Sequence, residues 1–220
     1  MIETKGLVKI FKDGDKETTV LKGIDFKAES GEFIAIMGRS GAGKSTFMYQ
    51  MSLLDEPTKG EIYINGVDTH NMKPEEKSTF RLNELGYVFQ DYALLPDLTA
   101  LENVALPLLM QGFEKKDAYE QAKVSLARIG LEKKFNNLPS QLSGGEQQRV
   151  SISRAVAHKP KILFADEPTA NLDHYSSDLV IDIFKELHKS GQTIIMVTHE
   201  EEYGKVAERI VRLDDGMIVS

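Results

Sequence analysis

The segment Gly38-Arg39-Ser40-Gly41-Ala42-Gly43-Lys44-Ser45-Thr46 follows an apolar run from Phe33 to Met37 and precedes a helix-compatible stretch. A glycine-rich loop in that context binds phosphate. Its glycines let the backbone curl so that successive N–H groups point at phosphate oxygens, and the helix N-terminus behind them adds positive potential. Lys44 then reaches the outer phosphates and the Ser45 hydroxyl ligates Mg²⁺. A second apolar run, Ile162 to Ala165, ends in Asp166 and Glu167. This places Asp166 at the carboxyl end of a buried strand, where it can hold a Mg²⁺ ion beside the phosphate loop. Adjacent side chains diverge at a strand end, which leaves Glu167 to orient or deprotonate a water for attack on a γ-phosphate. Hydrolysis is favoured over binding alone.

A third segment, Leu142-Ser143-Gly144-Gly145-Glu146-Gln147-Gln148-Arg149, has Ser143 and Glu146 at capping-box spacing, and its two glycines leave helix N-terminal N–H groups uncovered. That is a second anion site. A chain with one nucleotide needs no second exposed helix end unless that end binds the γ-phosphate of a nucleotide held by another copy. On this segment alone an ordinary capped helix fits equally well.

These residues need a scaffold, and the patterning supplies one. Apolar runs of four or five residues, at Phe33–Met37, Ile162–Ala165 and Thr193–Val197, read as strands buried on both faces of a parallel sheet. Helical stripes lie between and after them: Ala118, Ala122, Leu126 and Ile129 before Gly130, and Leu179, Val180, Ile183, Phe184 and Leu187 before Gly191. The alternation predicts an α/β fold. Hairpin signals at Glu61–Gly66 and Val211–Val219 predict an antiparallel β layer near both chain ends, beside the core. From about Asp91 the strand signal disappears, and a helical subdomain is expected over 91–157. Residues 1–90 and 158–220 then form the β layer and the α/β core of one domain.

Composition bounds the partners. The chain has 220 residues, 41% of them hydrophobic, enough for a real core. Lys and Arg number 27 against 34 Asp and Glu, a net charge of −7, so the overall balance attracts neither nucleic acid nor an anionic lipid surface. There is no cysteine, which excludes disulfides and Cys-ligated metals and is compatible with a reducing compartment. The first residues lack the basic-then-apolar layout of a secretion signal, and the longest apolar runs fall far short of the ~20 residues that span a bilayer. The expected location is cytoplasmic, with any membrane role exerted through a partner.

In this order the motifs resemble the ATP-binding cassette (ABC) ATPases, over the whole chain. Gly38–Thr46 resembles that family's Walker A loop, Asp166 and Glu167 its Walker B acids, and Leu142–Arg149 its signature motif. Gln90, in Phe89-Gln90-Asp91, is similar to the Q-loop glutamine, Asp173, in Asn171-Leu172-Asp173, to the D-loop aspartate, and His199 to the H-loop histidine. Phe11, set before the first hairpin, is similar to the aromatic that stacks on adenine, although Tyr is more usual there; stacking suits either ring. Ala170-Asn171 stands where Ser-Ala is common, and Ser153 where Ala is usual.

The resemblance implies ATP and Mg²⁺ as cofactors, with Glu167, His199, Gln90 and Lys44 catalytic and Ser45, Gln90 and Asp166 on the metal. Phe11, residues 38–46 (Gly38, Arg39, Ser40, Gly41, Ala42, Gly43, Lys44, Ser45 and Thr46), Ser143, Gly144, Gly145, Glu146 and Asp173 hold nucleotide. It also implies a homodimer across ATP and transmembrane permease subunits as partners, with the chain peripheral on the inner face of the cell membrane. The stretch Asp91–Leu109 is similar to the MacB and LolD branch, of macrolide export and lipoprotein release, and to the cell-division ATPase FtsE. In the family this stretch docks the membrane partner, and its leucines divide between interface and core. An ATPase acting on a membrane partner without transport is the alternative. Relatives acting on ribosomes or DNA carry two cassettes or a long coiled coil, neither of which fits in this length.

Overall fold

A computed structural model of the chain describes residues 2–219. A long hairpin, β1 (Ile2–Asp13) and β2 (Lys16–Ala28), leads into β3 (Phe33–Met37), the phosphate loop and α1 (Lys44–Met51). There follow β4 (Lys59–Ile64), β5 (Val67–Asp68), α2 (Pro74–Glu84) and β6 (Leu85–Val88), then three helices, α3 (Ala100–Met110), α4 (Lys115–Arg128) and α5 (Gly144–Val156). The chain finishes through β7 (Ile162–Asp166), α6 (His174–Lys189), β8 (Thr193–Val197), the short α7 (Glu201–Gly204), β9 (Arg209–Asp214) and β10 (Met217–Ile218).

Every residue of β3, β7 and β8 is buried, as continuous apolar runs require. They lie in a six-stranded sheet of order β10-β9-β3-β8-β7-β6, parallel except for β10, which pairs antiparallel with β9. The period-two alternation sends Ile34 and Ile36 to one face and Phe33 to the other. On the first face they meet Phe47, Met48 and Met51 of α1 and the inner residues of an antiparallel sheet of order β2-β1-β4-β5. On the second, Leu163, Ile194 and Met196 meet Val180, Ile181 and Phe184 of α6.

The helical stripe at Ala118, Ala122 and Leu126 packs on Ala100, Val104 and Leu108 of α3. Leu101 and Leu108 are core, whereas Leu95 is exposed. Asn103, fully buried among them, donates through Nδ2 to the carbonyls of Leu95, Leu98 and Thr99 and accepts from the Leu95 N–H, which fixes the 95–99 turn. Helix α5 faces both ways: Val150 packs with α3 and α4, while Ile152 and Ala155 pack against the sheet.

Two expectations are corrected. The hairpin at the carboxyl end belongs to the six-stranded sheet, since β9 runs parallel beside β3, and not to the antiparallel layer. Phe11 lies within β1, opposite Thr18 in the first hairpin, and not before it. Among the described residues no helix is long and apolar enough to cross a membrane.

Candidate active site

Strand β8 lies between β3 and β7, so the carboxyl ends of three buried strands open side by side onto one crevice, where ligands bind in such sheets. A cavity of about 490 Å³ there is lined by Gly38, Arg39, Ser40, Lys44, Glu167 and His199, with Met37, Glu201 and Arg212. The loop that forms its floor is held tightly. A Cβ at position 38 would collide with the Leu213 carbonyl, and the Gly216 N–H donates to the Ala42 carbonyl at 3.1 Å. The β9–β10 turn therefore braces the phosphate loop. Lys44 is buried and donates to the carbonyls of Gly38 and Arg39 at 3.0 and 3.2 Å, which draws its ammonium across the loop. Thr46 lies in the first turn of α1 behind the loop and does not line the cavity.

The two acids diverge. Asp166 ends β7, is 4% exposed, and accepts from the Ser45 hydroxyl at 3.0 Å through Oδ1. Burial raises its pKa above the usual carboxylate value, the Ser45 bond opposing and the neighbouring Glu167 charge assisting. Glu167 has φ +42, an uncommon left-handed conformation for a non-glycine residue that costs on the order of 1–3 kcal/mol, and its N–H donates to Val197 of β8. That turn swings its carboxylate away from Asp166. One oxygen lies 3.9 Å from Lys44 Nζ and the other 3.1 Å from His199 Nδ1.

The remaining predicted site residues stand apart from this cavity. Gln90 is exposed; its carbonyl accepts from Asn171, at 3.3 Å. Phe11 is exposed on β1 with the Lys9 ammonium 5.0 Å from its ring centre. Asp173 caps α6, accepting from the Ser176 N–H and hydroxyl at 2.9 Å. Ser143 caps α5 through a capping box in which Ser143 N donates to Glu146 at 2.9 Å, and Lys134 pairs with Glu146 at 3.0 Å. Gly144 and Gly145 follow at the same helix end, and a Cβ on Gly145 would stand 2.7 Å from the Ser176 hydroxyl. The close approach of α5 to α6 thus requires a glycine there. Arg212 and Glu201, joined by two hydrogen bonds of 3.0 and 3.2 Å, line the cavity without having been singled out. Nothing in their local spacing marks them; only the pairing of β9 with β3 brings Arg212 beside Met37.

A parallel sheet with a phosphate loop after β3, paired acids closing β7 and a histidine after β8 defines a P-loop nucleoside triphosphatase. The family described as ABC transporter matches residues 21–170, and the chain belongs to it. It is 50% identical over 219 residues to the uncharacterized ABC transporter ATP-binding protein MJ1508 of Methanocaldococcus jannaschii, covering 100% of this chain and 98% of that protein. It is 46% identical over 200 residues to the lipoprotein-releasing system ATP-binding protein LolD of Aquifex aeolicus, covering 91% and 89%. The macrolide export ATP-binding/permease protein MacB of Bdellovibrio bacteriovorus is 44% identical over 220 residues, all of this chain but 34% of that longer protein. The solved dimer of the cassette MJ0796 in a post-hydrolysis state, bound to ADP and Pi, superposes with a TM-score of 0.94 at 38% identity, covering 100% of this chain and 97% of that one. The protein is an ATP-hydrolysing ABC cassette of the MacB and LolD type.

Proposed function

We propose that the chain is the ATP-driven subunit of a membrane machine, peripheral on the inner face of the cell membrane, and that it moves transmembrane permease subunits by closing and opening as a homodimer. The observation that carries the reading is the Ser45–Asp166 hydrogen bond of 3.0 Å, between the residues that follow Lys44 and precede Glu167, both of which line the crevice with His199. The printed names of LolD and MacB support the membrane partner, and the dimeric MJ0796 cassette supports the assembly.

The geometry supports the following division of roles. The phosphate loop and Lys44 bind and orient the β- and γ-phosphates. Among the described residues no cluster of three or more His, Asp or Glu stands ready to hold a metal alone. A hydroxyl beside one carboxylate suits Mg²⁺, which prefers a few protein oxygens completed by phosphate and water. Ser45 and Asp166 would hold it, together with Gln90. Bound there, the ion neutralises charge that develops on the transferred phosphoryl group. Glu167 orients and deprotonates the attacking water, and His199 holds Glu167 from the opposite side. The second copy supplies Ser143, Gly144 and Gly145, the open N-terminus of α5, to the γ-phosphate; Asp173 sits at the joint, and Phe11 stacks on adenine. The exposed part of Asp91–Leu109 transmits closure to the permease. Comparing steady-state ATP turnover with fluorescent-nucleotide binding in Glu167→Gln tests the chemistry, because binding should survive while turnover falls by a factor on the order of 10² or more.

A further inference from the structure

Tyr87 lies outside the motifs, yet the strand register places it against the chemistry. It sits in β6 directly beside Phe164 of β7, and Asp166 follows two residues on, on the same face. Two strand residues rise about 6.6 Å, close to the reach of a tyrosine side chain from its Cα. The Tyr87 hydroxyl comes within 3.5 Å of Asp166 Oδ2, while Ser45 occupies Oδ1 at 3.0 Å. Each carboxylate oxygen thus has a donor of its own.

The ring is locked in place. Its centroid is 4.3 Å from that of Phe89, 6.0 Å from Tyr49 and 6.3 Å, stacked, from Phe164. With its ring held among these three, the tyrosine hydroxyl is placed to donate to Asp166. Tyr49 also faces Asp166 but is partly exposed on α1.

We infer that Tyr87 is a positioning residue for the metal site: its hydroxyl holds Asp166 Oδ2 and thereby turns Oδ1 toward Ser45 and the Mg²⁺ ion. The inference rests on the reading of Ser45 and Asp166 as the metal holders. Groups that orient metal ligands act on metal affinity more than on the fold. The bond is long and its donor neutral, so the expected effect is modest, roughly threefold to tenfold.

The readout is the affinity of a fluorescent ADP measured with Mg²⁺ and with EDTA, whose ratio reports what the protein adds to metal binding without any turnover. Tyr87→Phe keeps the ring and removes only the hydroxyl. It should lower the ratio by roughly threefold to tenfold and leave the EDTA affinity unchanged. In an Asp166→Asn background, which should itself lose most of the ratio, Tyr87→Phe should add nothing. A Tyr87→Phe ratio equal to wild type, with Asp166→Asn defective, overturns the role of Tyr87 alone. Equal losses with Mg²⁺ and EDTA also overturn it, since they report general damage to the site. An Asp166→Asn variant with the wild-type ratio removes the metal reading and this inference together.

Discussion

His199 Nδ1 stands 3.1 Å from Glu167 Oε2, a bond that joins the segment after β8 to the strained residue after β7. A carboxylate oxygen accepts, so this bond calls for the His199 tautomer that bears its hydrogen on Nδ1. The imidazole therefore holds the Glu167 carboxylate, and in the proposed mechanism the two side chains act as one unit. His199→Ala should lower turnover by about 10- to 100-fold with nucleotide binding retained. The double variant with Glu167→Gln should be no slower than Glu167→Gln alone, because groups that act together are not additive. Steady-state ATPase rates of the three variants check this.

Lys44 donates to two carbonyls of its own loop, at Gly38 and Arg39, and lies 3.9 Å from Glu167. Removing it takes away both the charge that meets phosphate and a brace of the loop. Lys44→Ala should weaken ATP binding itself, by about tenfold or more, the worth of one or two charge-assisted hydrogen bonds. Titration with a fluorescent ATP measures it, and an unchanged affinity would deny Lys44 its place on the phosphates.

Asp166 carries a stability cost at neutral pH. Its folded pKa is raised by burial, so the stability it gives is fully present below the unfolded value and is lost as pH rises through the folded one. At neutral pH the ionised group is a burden on the nucleotide-free protein. Asp166→Asn keeps an acceptor for Ser45 and removes the charge. It should raise the melting temperature at pH 7 by about 2–4 °C, corresponding to roughly 1 kcal/mol, while losing Mg²⁺-dependent turnover. The gain should shrink as pH falls through the acid range, and thermal melts at several pH values would show it.

Asn103 is fully buried and its amide makes four hydrogen bonds to the 95–99 turn. Asn103→Leu fits an apolar setting but strands a backbone N–H and several carbonyls. A loss of about 2–4 kcal/mol in denaturant unfolding is expected, together with loosening of the exposed Leu95 surface. Hydrogen exchange localised to residues 94–99 would separate this from a general loss.

The site was legible in the sequence wherever chemistry constrains consecutive residues. The phosphate loop needs its glycines, Lys44 and Ser45 in fixed order, and Asp166 and Glu167 need a buried strand before them, so both segments carry their meaning locally. Strands β3, β7 and β8 were legible because burial on both faces leaves an unbroken apolar run. Helix α2 was not, since none of its residues is buried and it has no apolar stripe to betray it. The last hairpin was seen as a hairpin, but a two-residue period does not say which sheet receives it. Tyr87 acts through Asp166, 79 positions along the chain, and Asn103 and Arg212 through partners 4–8 and 11 positions away; only register and packing reveal them.

In the proposed dimer each ATP lies between the phosphate loop of one copy and the α5 N-terminus of another. Glu167→Gln should bind ATP without clearing it, so sedimentation velocity of this variant at high concentration, with and without ATP, is the most direct test. A dimer that forms only with ATP, and is abolished by adding Ser143→Arg, is the expected result. A Glu167→Gln protein that is saturated with ATP yet remains a monomer would contradict the claim and leave Leu142–Arg149 a capped helix.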